Sequence, residues 1–466
     1  MSSRTLRLLI SVCLVFGVFI YVLSSQIDSI TPRKMANEGL PGGPLPGLTR
    51  WQQLRFEEGR LLFENEFALA DGLGPAYNAK SCKTCHGGKG TSGGAGFSPL
   101  QTIDLVAKRQ PKSRFPATQK ASDIFSKTEA ADLDYFLKSG GPVVLRNSIT
   151  DDAGLKLPPG CKYESLKAKP SDAEFVSKRY APQLYGLGFI NSISDGALSY
   201  WQNRQAQPGG AGGKTAQLKA VSAVLQSTGR FGSKAQEATL IQYIARDLCG
   251  QIGITNPLNK GNSASSVIPD CLKNLLPADP NDDGSKLSKI NFYLSLLAPP
   301  PRAVMSPAAR RGEQRFQTIG CASCHMPAMQ TPEKVYLINP DCPLSEVLSG
   351  TAEDARSSSL ADEKPKFVEV KALEDKQMQA YSDLLLHDLG PGLADGYAEG
   401  AAGGSQWRSA PLWGLRYRRY YLHDGRAASL SAAIRLHGGQ AAASAKAFAA
   451  LSEVEKRELL AFLESL

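Results

Sequence analysis

Histidine is scarce in this chain, with five in 466 residues. Between His86 and Met305 there is neither a histidine nor a methionine, and no tryptophan lies between His86 and Tyr200. Histidines so few and so far apart argue against a zinc site, which needs paired ligands at short range from each Cys-x-x-Cys. The net charge is +9, but the lysines and arginines are dispersed and form no basic stripe. That pattern suits solubility and an acidic redox partner, not nucleic acid. Long apolar runs are also few. The stretch from Leu8 to Leu23 follows Arg4 and Arg7 and precedes Ser24-Ser25-Gln26. A positive segment before an apolar one marks residues 1–30 for export, as a signal peptide or an N-terminal membrane anchor. The run is slightly short for a membrane span, and no small-x-small cleavage site follows it. Cys13 lies inside it without lipoprotein surroundings. A periplasmic location is expected, with attachment to the membrane only if the leader stays in place.

What the chain does contain is a pentapeptide that occurs twice. Cys82-Lys83-Thr84-Cys85-His86 is answered by Cys321-Ala322-Ser323-Cys324-His325. Cys-x-x-Cys-His is the attachment signature of c-type haem. Two intervening residues let both thiols reach one porphyrin edge, and the adjacent histidine then lies under the iron as its proximal ligand. Cys82, Cys85, Cys321 and Cys324 are therefore the expected attachment points, and His86 and His325 the iron ligands. Export fits, because c-type haem is attached outside the cytoplasm. Neither cysteine pair is left over for thiol chemistry.

The hydrophobic fraction of 42% is enough for real cores, and 44 glycines with 29 prolines imply long loops. The expected fold is mainly α, with two cytochrome c-like haem domains, long loops and few short strands. Pro299-Pro300-Pro301 is the natural boundary. It divides residues 45–300, an N-terminal haem domain with insertions, from 301–466, a C-terminal cytochrome c domain. In the first, helical periodicity begins near Trp51 and recurs over Ala216 to Gln226, Ala238 to Leu248 and Leu287 to Leu297. Val143-Val144-Leu145 reads as a short strand. Glycines on both sides of the first motif let backbone approach a porphyrin. In the second domain, Ala308 to Phe316 leads into Cys321, and Leu451 to Leu466 closes the chain with a helix expected to cross it.

The missing histidine and methionine now acquire meaning. The first haem cannot take either common sixth ligand from its own domain. Its iron is open, or bound by water, or capped by Tyr or Lys, or reached by a residue from the other domain; an accessible iron is the favoured reading. For the second haem, His437 sits before the terminal helix, where the chain can return to the distal face and complete a bis-histidine site. Met326 and Met329 follow the motif too closely for that role and read as packing. In the turn His423-Asp424-Gly425-Arg426, Arg426 is the candidate partner of a haem propionate, and His423 reads as structural. His387 reads as a propionate partner or a satisfied polar group. Cys161, Cys249, Cys271 and Cys342 allow up to two disulfides, Cys249 with Cys271 being the easiest closure.

These residues resemble a known family. The segments Gly72 to Ala79, Ala181 to Gly188, Gly229-Arg230-Phe231-Gly232, Leu384 to Asp388, Pro411 to Arg416 and His423 to Arg426, with both motifs, are similar to the di-haem oxidoreductases sometimes called thiol oxidoreductase-like. That family is related to bacterial di-haem cytochrome c peroxidases and to the di-haem enzyme of methylamine utilisation. The resemblance implies two haems in electronic contact, one reacting with hydrogen peroxide and one receiving electrons from a small redox protein or a membrane donor. His437 falls where the related peroxidases carry an axial methionine. Gln251 falls near their catalytic carboxylate, which moves protons during O–O cleavage, and Asp247 lies close enough to substitute. The peroxidases also carry a tryptophan shortly after the first motif, absent here. Relatives hold calcium between their domains, which makes calcium a further cofactor by resemblance alone. Two other functions compete: a non-catalytic electron carrier, in which both irons are six-coordinate, and an oxygenase resembling the di-haem rubber-cleaving enzymes.

Overall fold

The computed structural model describes residues 41–74, 76–87, 93–94, 102–109, 133–135, 147–148, 159, 175–259, 280–351, 353–356 and 365–466. The leader, Cys13, Val143 to Leu145, Cys161 and Cys271 lie outside these residues. Cys249 and Cys342 are buried.

Helices dominate, and their starts are written in the sequence. Thr49 and Gln52 form a reciprocal capping box for the helix Arg50–Glu64. Ser306 caps Pro307–Thr318, with proline at its first position, and Ser452 with Glu455 caps Glu453–Glu464. Each cap satisfies backbone donors that a helix start otherwise leaves open. The strands are two to eight residues long and pair antiparallel in small sheets of two or three strands.

One construction appears twice. Helix Arg50–Glu64 crosses Ser285–Leu296 at Gly59, where an added Cβ would run into the Lys289 carbonyl. Helix Pro307–Thr318 crosses Glu453–Glu464 at Gly312, where an added Cβ would run into the Glu458 carbonyl. Only glycine allows backbones this close. Four residues after each glycine comes a phenylalanine, Phe63 or Phe316, and each is buried and faces the cavity described below. Around the first crossing, Tyr293 packs on Phe56 and Phe63, with ring centroids 4.9 and 5.4 Å away. Around the second, Phe316 packs on Phe462 at 5.2 Å, and Glu458 ties Arg311 and Arg315 to the partner helix. Each buried ring contributes about 1.5–3 kcal/mol. The crossing of first and last helices expected for the second region is present.

The two regions share a core. Residues from Met326 to Leu384, beyond the triple proline, join the hydrophobic cluster of the first region. Gln52 Nε2 donates to the Glu369 carbonyl at 3.1 Å, and Arg55 pairs with Asp341 at 2.8 Å.

One sequence expectation fails. Ala216 to Gln226 is not a helix. Ala216–Gln217 pairs with Thr228–Gly229, and Leu218 N–H continues that hairpin to the Ser227 carbonyl. Asp195 takes the N–H groups of Ser227 and Thr228, so long-range partners claim backbone that a helix would use internally. The weakly periodic stretch after the first motif also contains an antiparallel sheet, with Thr102–Arg109 between Leu133–Tyr135 and Phe175–Tyr180. Its last strand buries Ser177 and Arg179, which breaks the usual polar-out signature.

Candidate active site: one cavity between the two motifs

A cavity of about 1490 Å³ runs between the two Cys-x-x-Cys-His motifs. All five histidines of the chain line it, with the four motif cysteines. Among the described residues, neither lysine nor methionine does. Met326 and Met329 are in the core instead.

The first motif is a single helical turn, Cys82–His86, capped by Ser81. His86 Nδ1 lies 3.0 Å from the Pro182 carbonyl. A carbonyl can only accept, so Nδ1 carries the proton and Nε2 keeps a free lone pair. Withdrawal from water pushes the imidazole down to about 4, so it is neutral at physiological pH. His325 repeats the arrangement, with Nδ1 3.0 Å from the Tyr381 carbonyl and the ring likewise pushed down to about 4 by burial, then by His437. The pairing of a ligand histidine with a backbone carbonyl fixes its tautomer and ring direction.

His437 is positioned by the helix Leu430–Arg435. Its Nδ1 lies 2.8 Å from the Ala433 carbonyl, which leaves Nε2 free here too. Loss of solvation holds its pKa below the usual histidine range. The His325 and His437 ring centroids are 6.4 Å apart. Two imidazoles on opposite sides of one metal, with bonds of about 2.0 Å, would place their centroids about 6.3 Å apart. The two rings are therefore spaced to hold one ion between them.

His387 is different, because both nitrogens are engaged. Nε2 is 2.9 Å from Asp383 and Nδ1 is 3.5 Å from the Cys324 sulfur. Burial opposes its charge, but the bonds to Asp383 and Cys324 prevail and push it up to about 10. Asp383 also accepts from Gln205 at 3.1 Å and from Ser409. His423 lies flat on Trp407, 3.7 Å between ring centroids, and its buried Nε2 has no hydrogen-bond partner.

Arg426 is bound to Asp424 and to the Gly392 carbonyl and is not among the cavity-lining residues. Two other arginines are. Arg408 is pushed down to about 10 by desolvation, and Arg418 is lowered by the same cause. The buried Nε of Arg418 has no hydrogen-bond partner. No salt bridge holds either guanidinium among the described ion pairs. Cations withdrawn from water in this way call for an anionic ligand. Sequence reading missed them; their signal is only their place beside Ser409 and in the Arg416 to Tyr421 run.

Asp247 ends the helix Leu240–Asp247, at the step into a π-turn, Leu248–Ile252. Such turns often mark functional positions. Asp247 faces the cavity near the first motif, where its charge is felt at the Cys82 thiol. Desolvation pushes its carboxyl up to about 7; Arg246 opposes this, but Glu237 and Glu399 add to it. Arg246 is itself committed to Glu399 and to Glu237 at 3.7 Å. Gln251 also faces the cavity, yet its Oε1 accepts from Asn78 at 2.8 Å, and its carbonyl accepts the Asn78 N–H at 2.7 Å. It is held in place by Asn78 and carries no exchangeable acid proton.

No curated protein matches. Among solved structures, the chain is similar to hydrazine synthase of Kuenenia stuttgartiensis at 13% identity, covering 62% of this chain and 73% of that one, with a TM-score of 0.29. It is also similar to a MauG-like protein associated with microbial copper homeostasis at 14% identity, covering 91% and 92%, with a TM-score of 0.36. The family described as "Di-haem oxidoreductase, putative peroxidase" matches residues 104–341 and 356–466. That is most of the sequence, and the chain belongs to the di-haem oxidoreductase family.

Proposed function

We propose that this chain is an exported di-haem c-type oxidoreductase that reduces peroxide at the site built on His86, with electrons arriving through the site built on His325 and His437. The observation that carries this reading is the gathering of every histidine and all four motif cysteines around one cavity. The residues present fit two haems. Cys82 with Cys85, and Cys321 with Cys324, would form the thioethers, and His86 and His325 would hold the irons through Nε2. Arg408 donates to the Gly232 and Ser409 carbonyls at 2.8 and 2.9 Å, but neither it nor Arg418 has a carboxylate partner among the described ion pairs, so both suit propionate carboxylates. Calcium rests on the resemblance alone; among the described residues there is no group of three or more His, Cys, Asp or Glu side chains that could hold a metal ion.

Bound haem supplies a redox-active iron, and an iron with an open position can take a small oxidant. The chain's own residues supply the rest. The Pro182 and Tyr381 carbonyls hold the two proximal imidazoles in one tautomer and make Nε2 a stronger donor. His437 closes the second site. At the first, lysine and methionine caps are absent from the cavity wall among the described residues, and the Tyr243 phenol is kept protonated by burial. Asp247, poised near neutrality, would take a proton from one peroxide oxygen and return it to the other as the O–O bond breaks. The full reaction consumes two electrons and two protons and yields two waters. The electrons come from a small redox protein or a membrane donor in the periplasm. No described helix is long and apolar enough to cross a membrane.

Covalent haem content and peroxide consumption test this reading together. Wild type is expected to carry two haems. Cys82→Ser with Cys85→Ser leaves one and abolishes peroxide consumption. Cys321→Ser with Cys324→Ser also leaves one, and removes only the turnover that a protein donor drives. Full peroxide turnover without the first motif would refute the assignment.

A further inference from the structure

The two motif imidazoles are joined to each other through their other nitrogens. His86 Nδ1–H donates to the Pro182 carbonyl at 3.0 Å. The next residue, Gln183, donates from Nε2 to the Gly414 carbonyl at 2.7 Å. Two residues earlier, Leu412 N–H donates to the Ala380 carbonyl at 2.8 Å. The residue after that, Tyr381, accepts from His325 Nδ1–H at 3.0 Å. Four hydrogen bonds of ordinary length and three short peptide segments make an unbroken run from one imidazole to the other.

The middle segment is held from both sides. Gly414 has a φ of +71°, and a Cβ there would press on Pro300 and on the Gln183 amide. Its N–H donates to the Leu466 carbonyl at 2.9 Å. The Trp413 ring lies on Gly186, where a Cβ would collide with it. Gly186 N–H in turn donates to the Leu297 carbonyl at 2.9 Å. The segment is thereby anchored to the terminal residues of both helical crossings. Trp407, the other tryptophan on the cavity wall, is a poor relay. Arg179 and Lys234 lie over its ring at 4.9 and 4.3 Å, and two cations hold its π electrons tightly.

We propose that the run Pro182–Gln183, Gly414–Trp413–Leu412 and Ala380–Tyr381 is the electronic connection between the two haem sites. It rests on the di-haem reading above. With haem bound, one electron would pass from the His325 site, oxidised by one unit, to the His86 site, reduced by one unit. No proton moves, because both Nδ1–H groups keep theirs. Gln183 is a positioning residue whose amide closes the one side-chain link in the run besides the two imidazoles.

The test is electron equilibration between the two sites of the holoprotein, followed by transient absorption after one-electron photoreduction. Gln183→Leu removes the donor. The expected result is loss of the fast inter-site phase, with haem content, absorption spectrum and both reduction potentials unchanged. Trp407→Phe is expected to keep the phase. Gln183→Glu guards against misfolding of the leucine variant. It lacks the donor at neutral pH and regains one as the carboxyl protonates below about pH 4–5, so the fast phase should return on acidification. A wild-type rate in Gln183→Leu overturns the path, as does a Gln183→Glu variant that stays slow in acid. Fewer than two haems in the wild type would instead overturn the di-haem reading beneath it.

Discussion

Replacing His437 with alanine is expected to convert the second haem site from low-spin to high-spin while both thioether attachments remain. The ring already stands where a ligand must, since its centroid lies 6.4 Å from that of His325. Its Nδ1 is anchored to the Ala433 carbonyl, so Nε2 is the only nitrogen free to bind. Its pKa is lowered by desolvation, so no proton competes with the metal at neutral pH. Alanine removes the donor, and none of the lining residues offers methionine or lysine in its place. The change is read from the visible spectrum and EPR. His437→Met is expected to restore a low-spin site at higher potential, by a fraction of the ~0.8 V range that axial ligands span. A low-spin signal surviving in His437→Ala would remove His437 from the coordination sphere.

Asp247→Asn is expected to lower kcat/KM for peroxide by about 10²–10⁴, the usual contribution of a positioned general acid–base. The wild-type rate should rise as pH passes upward through about 7, because a carboxyl withdrawn from water there must lose its proton before it can accept one. The variant's profile should be flat in that window. Stability moves the opposite way. The folded carboxyl holds its proton to higher pH than the unfolded one, so its contribution is present in acid and is lost as pH rises through 7. Asparagine stays neutral, so the variant should gain thermal stability over wild type at pH 8. Gln251→Leu provides the contrast. It frees the Asn78 amide and should cost about 1 kcal/mol of stability, with the pH profile unchanged. Stopped-flow rates across pH separate the two roles. An unaltered profile in Asp247→Asn would mean that another group moves the proton.

The parts of this site that were legible in the sequence depend on fixed covalent spacing. Cys-x-x-Cys-His states its chemistry locally. His437 could be singled out because histidines are few enough to weigh one by one, and its ring centroid lies 6.4 Å from that of His325. The parts that were not legible depend on partners far away in sequence. Gly59 and Gly312 look like ordinary helix glycines until a carbonyl of another helix lies against them. Ala216 to Gln226 has helical spacing, but Asp195 and Thr228–Gly229 claim its hairpin. Lys234 reads as one of many dispersed charges, yet it is fully buried, 3.1 Å from Asp395 and 2.7 Å from the Gly403 carbonyl. Arg408 and Arg418 carry no motif at all; a shared cavity wall is what singles them out. Arg426 sits in a conspicuous turn and spends its charge on Asp424.

One measurement bears most directly on the claim of two unlike haem sites in one cavity: low-temperature EPR of the oxidised holoprotein, before and after hydrogen peroxide. The expected spectrum contains one high-spin ferric signal from the Cys82–His86 site and one low-spin signal from the site closed by His437. Peroxide should abolish the high-spin signal first. Two low-spin signals that peroxide leaves unchanged would contradict an open iron at His86 and return the protein to the class of electron carriers.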